Sequence, residues 1–148
     1  MTSVKEDGLE ARKNMLVEMF NTSAPIAKTF WMCLAFDDEN RAVVSLPYNP
    51  GLDHAMRGIH GGIYMTLLDT AAWFASAVTH EGTSWIATSE MSVHFLKPSS
   101  SIDLKAVGTV LKSGKRQDVV EARVFDSWGN EVGHGIGSFM IIPELPLL

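Results

Sequence analysis

Asp69 is the only Asp, Glu, Lys or Arg between Arg57 and Glu81, and it stands in the middle of the apolar run Gly61–Val78. A carboxylate placed there is costly to desolvate unless something satisfies it. Burial also favours the protonated form, and a carboxyl raised toward neutrality suits a general base or nucleophile. Nine residues earlier stands His60, followed by Gly61 and Gly62. Residues without side chains let a ligand carbonyl come close to the backbone. If they open a helix, their N–H groups have no partner within it and face outward with the positive end of the helix dipole behind them. An oxygen that gains charge during attack on a carbonyl is the kind of group such donors stabilise. Gly62 is the expected donor.

The spacing then constrains the assembly. At about 1.5 Å per residue, the seven-residue step from Gly62 to Asp69 spans about 10 Å. A donor and a nucleophile working on one carbonyl must each lie within about 3 Å of their reacting atoms. An Asp side chain does not close that gap. The two residues can serve one carbonyl only if they come from different subunits, which predicts a dimer with two antiparallel central helices and two equivalent sites.

The elements that must position these residues follow from periodicity. Residues 3–20 have helical character, within an N-terminal helical segment spanning 1–20, and Asn21–Pro25 breaks it. Thr29–Phe36 is a short apolar run closed by the acidic turn Asp37–Asn40, and Arg41–Leu46 pairs back as a strand. The helix Gly61–Val78 is apolar all round, so most of its faces should be buried. Trp85–Leu96 alternates, with Ile86, Thr88, Glu90, Ser92 and His94 on one face and Ala87, Ser89, Met91, Val93 and Phe95 on the other. Ile102–Lys112, Gln117–Phe125 and Glu131–Ile142 read as three further strands, the last two joined by the hairpin signal Asp126–Asn130. A long helix covered on one side by a curved antiparallel sheet, an α+β arrangement within one domain over 1–148, is the expected architecture. Such a sheet leaves one edge open, and joining two sheets edge to edge would close it.

Bulk properties exclude several classes. The 148 residues carry a net charge of −5, against the basic face of a nucleic-acid-binding domain. A hydrophobic fraction of 46% and a charged fraction of 20% are ordinary for a globular chain. The one cysteine, Cys33, rules out an intrachain disulfide and a multi-cysteine metal site, and no clustered His, Cys and carboxylate set predicts a metal. The stretch from residue 59 to 78 approaches membrane-spanning length, but an Asp at a span centre costs about 2.5–3.5 kcal/mol, so a buried core helix is the better reading. The charged N-terminus without an apolar signal core points to the cytoplasm.

His60-Gly-Gly-Ile-Tyr-Met-Thr-Leu-Leu-Asp69, together with Thr88-Ser-Glu-Met-Ser-Val-His-Phe-Leu-Lys-Pro98, resembles the signature of hotdog-fold acyl-CoA thioesterases, in particular the phenylacetic-acid-degradation type. The resemblance covers roughly residues 15–142. It implies hydrolysis of a small or medium, or aromatic, acyl-coenzyme A thioester with no cofactor beyond the coenzyme A of the substrate. It also implies a homodimer or a dimer of dimers. Asp69 would act as nucleophile or general base, two roles the residues alone do not separate, with Gly61 and Gly62 at the oxyanion. Related enzymes often carry Asn six residues before the motif His. Here that position is His54, which could still donate one hydrogen bond and would titrate near neutrality. Thr88 matches a Ser or Thr near the family's catalytic acid, and His60 could fix the loop or touch substrate. Arg57, Lys97, Lys112, Lys115 and Arg116 are candidates for the coenzyme A phosphates, and Tyr64, Leu68 and Trp73 for the acyl pocket. Two other readings share the fold: a non-catalytic acyl-CoA-binding protein and an enoyl-CoA hydratase or dehydratase.

Overall fold

The computed structural model describes residues 4–147. The N-terminal segment forms α1 (Val4–Glu18), so its expected first residues, 1–3, lie outside the described range. A π-helical turn over Met19–Ser23 leads to Pro25, and Ala24 before it is extended, as a residue preceding proline must be. The run expected to begin a strand at Thr29 instead finishes a second short helix, α2 (Pro25–Phe30). That helix closes on Trp31, whose φ of 67° is left-handed. The strand β1 is limited to Cys33–Phe36 and pairs with β2 (Ala42–Leu46). Asp37 holds the connecting turn, its Oδ1 accepting from the Glu39 and Arg41 amides and its Oδ2 from Arg41 Nε.

The central helix α3 spans Gly61–Val78. Four strands follow: β3 (Ser84–Phe95), β4 (Leu104–Lys112), β5 (Gln117–Asp126) and β6 (Glu131–Pro146), the last running four residues past its expected end. All six strands form one antiparallel sheet in the order β1-β2-β4-β5-β6-β3. The helix packs against β2, β3, β4, β5 and β6. Five strands about 4.8 Å apart span more than the roughly 10 Å width of a helix, so the sheet must curve round it. This is the hotdog arrangement. The closest approach is at Gly108 of β4, where an added Cβ would stand 2.3 Å from the Ala71 carbonyl oxygen. Glycine there, facing buried Ala71 and Ala72, lets the sheet sit directly on the helix backbone.

Two features of β3 bear on the site. It is an edge strand of twelve residues, while the opposite edge, β1, has four. It also carries a bulge: Thr88 pairs with Phe139 and Glu90 with Ser138, leaving Ser89 unpaired. The extra residue reverses the alternation beyond it. Thr88 faces the core side with Ile86, whereas Glu90, Ser92 and His94 move to the outer face and Met91 and Val93 pack inward. The expectation that Glu90 and His94 share a face with Thr88 is therefore corrected.

Candidate active site

His60 is the N-cap of α3, with φ −60° and ψ 136°. An extended residue at this position sets its side chain over the first turn, and His60 Nδ1 accepts a hydrogen bond from the Gly62 N–H at 2.9 Å. The donor assigned to an oxyanion is thus engaged by the imidazole two residues before it, a pairing that neither glycine advertises in the sequence. An incoming oxygen reaches that N–H by sharing it or by displacing the ring. Gly61 answers to a different neighbour: an added Cβ would lie 3.3 Å from the Phe95 ring, so glycine lets the end of β3 close onto the helix start. Phe95 in turn meets Tyr64 edge to face, with ring centroids 6.1 Å apart.

Asp69 lies two turns along α3. The sheet covers the other faces of the helix and leaves a stripe of Met65, Asp69 and Trp73, residues four apart on one side. Asp69 is therefore half-buried, not enclosed as the apolar run all round implies. Thr88 Oγ1 donates to Asp69 Oδ1 at 2.7 Å. Oδ2 takes no hydrogen bond among the described residues, so one oxygen is oriented and the other is available. Thr88 touches the carboxylate alone, as a residue that orients it would. Thr88→Val keeps the strand's β-branched shape and removes the donor. We expect kcat to fall about tenfold with KM nearly constant, since the lost bond orients a base rather than binding substrate; steady-state kinetics on one thioester checks this.

The remaining candidates are spread around the helix start. His54 is exposed and folds over its own turn: Nδ1 accepts from the Met56 amide at 3.1 Å, and the ring covers Gly58, where an added Cβ would meet Nε2 at 2.7 Å. Arg57, in the left-handed region with φ 64°, and Lys97 both expose their side chains. Lys97 is anchored through its backbone, its carbonyl accepting from the Tyr64 hydroxyl at 3.2 Å. Tyr64 and Leu68, named as pocket candidates, are buried in the protomer core. Lys112, Lys115 and Arg116 are exposed around the β4–β5 turn. The single chain thus joins Asp69 to Thr88 and Gly62 to His60 and leaves the two pairs separated along α3.

Three surface clefts of about 740, 1050 and 650 Å³ lie elsewhere, and none is lined by Asp69, Thr88 or Gly62. A second polar group, which sequence reading missed, sits at the far end of α3. Buried Asp118 accepts from Ser76 Oγ at 2.6 Å and from the Gly114 amide at 3.1 Å, and its Oδ2 lies 2.6 Å from His80 Nε2. Ser and His here share one carboxylate oxygen. The hydroxyl proton points at the acid and not at the imidazole, so this is a structural staple rather than an activated nucleophile. Among the described residues no helix is long and apolar enough to cross a membrane, and no group of three or more His, Cys, Asp or Glu is placed to hold a metal ion.

The thioesterase superfamily model matches residues 57–132, a span that contains the helix start, Asp69 and Thr88. A Saccharolobus solfataricus protein named as an esterase is 28% identical over 137 residues, 93% of this chain and 94% of that one. A Bacillus halodurans protein solved with CoA superposes with a TM-score of 0.77 at 28% identity, covering 96% of each chain. The E. coli PaaI protein, from the phenylacetic acid degradation operon, shares the fold with a TM-score of 0.76 at 22% identity over 92% of this chain and 94% of its own. The chain belongs to the thioesterase superfamily and is a hotdog-fold thioester hydrolase.

Proposed function

We propose that the protein hydrolyses acyl-coenzyme A thioesters, with small, medium or aromatic acyl groups, at two equivalent sites built across a homodimer. The observation that carries this is the placement of Asp69 on the stripe of α3 that the sheet leaves open, held there by Thr88 of the edge strand β3. That edge exposes Trp85, Phe95 and Leu96, a combination that invites a partner strand. An antiparallel partner would set its own Gly62 opposite Asp69 and remove the separation of about 10 Å that one chain cannot bridge.

In this arrangement the thioester carbonyl lies between Asp69 of one protomer and the helix start of the other. Asp69 Oδ2 attacks the carbonyl carbon or takes a proton from a water that does. The carbonyl oxygen gains charge at the partner subunit's Gly62 N–H, taking the place of the partner's imidazole Nδ1 there. The intermediate collapses with loss of the coenzyme A thiolate, which is protonated, and one water is consumed in giving the free acid. His54 and His60 flank that helix start, and the exposed Arg57 and Lys97 suit the phosphates of the nucleotide. The Bacillus halodurans relative solved with CoA supports this substrate class. The residues used call for no metal or further cofactor. The proposed assembly is a homodimer or a dimer of dimers in a reducing cytoplasm, which suits the free, exposed Cys33.

The test is thiol release from a panel of short, long and aromatic acyl-CoAs, with sedimentation at the assay concentration. Hydrolysis by a dimer or a larger assembly is expected. Hydration of an enoyl-CoA without hydrolysis, binding without turnover, or full activity in a monomer would each overturn the proposal.

A further inference from the structure

Trp73 follows Asp69 by four residues and stands next to it on the open stripe of α3. Trp85 precedes Thr88 by three residues on β3. The two elements that hold the carboxylate and its orienting hydroxyl therefore also hold two indoles, four residues on along α3 and three residues back along β3. These are in contact, with ring centroids 5.1 Å apart at 50°. Trp73 is fixed further: its Nε1–H donates to the Ile86 carbonyl at 2.6 Å, and its ring meets Phe74 edge to face at 4.8 Å. Trp85 remains 38% exposed. A locked, partly exposed aromatic surface beside a half-buried acid is more than the core requires, because Phe74 already fills the inner side.

We propose that Trp73 and Trp85 form the end wall of the acyl site and restrict the enzyme to short acyl chains and single aromatic rings. This rests on the two-subunit thioesterase reading above. A thioester held at Asp69 has two arms of opposite character. The coenzyme A arm carries phosphates and needs solvent and cations; Arg57 and Lys97, both exposed, offer them at the surface. The acyl arm needs an apolar, partly desolvated wall, and the indole pair backed by Phe74 supplies it. The wall begins four residues from Asp69, about 6 Å along the helix, room for a short chain or one ring but not for a long chain. Indole faces and edges also favour a planar ring over an alkyl chain of similar length.

The experiment compares kcat/KM for acetyl-, hexanoyl-, dodecanoyl- and phenylacetyl-CoA in the parent, in Trp85→Ala, and in Trp73→Phe. The second variant keeps the contact with Phe74 and loses the second ring and the N–H. In the parent, kcat/KM should fall steeply from hexanoyl to dodecanoyl. In Trp85→Ala the dodecanoyl-to-acetyl ratio should rise about tenfold or more, since several methylenes gain room. The phenylacetyl-to-hexanoyl ratio should drop about three- to tenfold with loss of the aromatic contact. Trp73→Phe should move both ratios in the same directions by less. If both variants hydrolyse with the parent's profile, the wall assignment is overturned while the thioesterase reading stands. If the parent hydrolyses no acyl-CoA at all, the reading beneath it fails and the wall with it.

Discussion

Asp69→Asn should lower kcat on a good acyl-CoA substrate by about 10²–10⁴-fold, the range for removing a general base, or about 3–5 kcal/mol of barrier. The substitution is nearly isosteric, and its carbonyl still accepts the Thr88 hydroxyl, so the fold, the dimer and substrate binding should persist. Near-parental turnover would remove Asp69 from the chemistry. A mixing experiment then tests the two-subunit geometry. Gly62→Pro deletes the N–H at a first-turn position where proline is tolerated, and it too should be inactive alone. Co-refolding the two dead variants in equal amounts gives half hybrid dimers, each with one site pairing an intact Asp69 with an intact Gly62. About a quarter of parental activity should return, as expected for a two-fold assembly with paired sites. A site built within one chain would give no recovery. Labelled water in a single turnover separates the two routes: label entering the Asp69 carboxylate identifies a covalent intermediate.

The reach of sequence reasoning is clearest along α3. Its bounds were legible because two glycines open an uninterrupted apolar run and a polar turn closes it. The strands that follow were legible from alternation and turn residues, and the six-stranded antiparallel sheet matches them. Alternation carries no record of a bulge, however. Ser89 looks like any other strand residue, yet it sends Glu90 and His94 to the face opposite Thr88. The Asp69–Thr88 pairing was suggested by resemblance and is present as a hydrogen bond. The burial of Asp69 was misjudged for a definite reason: an apolar helix in a single-layer sheet is covered on one side only, and the stripe left open is the one that bears the acid. The His60–Gly62 bond was hidden because capping depends on ψ at the preceding residue, which composition does not encode.

Asp118 shows the same limit from the side of stability. Its residue type and its place at the start of β5, just past a basic turn, suggest a solvated charge. Instead its side chain is fully buried, because β5 is a central strand and Asp118 pairs with Phe139, itself 0% exposed. Three donors converge on the carboxylate from three places: Ser76 in the last turn of α3, His80 just beyond that helix, and Gly114 in the β4–β5 turn. The acid therefore ties the end of α3 to β5 and to the β4–β5 turn. Asp118→Ala strands the Ser76 hydroxyl and the Gly114 amide without partners, at about 1–3 kcal/mol each. His80, still partly exposed, recovers some of its loss from water. A net destabilisation of about 3–4 kcal/mol should lower Tm by about 6–15 °C in a chain of this size. Ser76 lies about 10 Å along α3 from Asp69, by helix rise, so kcat per folded molecule at 25 °C should stay close to the parent's. Asp118→Asn can satisfy only part of the donor set and should fall between the two. Calorimetry on the three proteins, run beside the thiol-release assay, reads both quantities. A melting point unmoved by Asp118→Ala would show that packing alone holds the end of α3. A parental melting point with lost turnover would instead put the Asp118 cluster in the reaction.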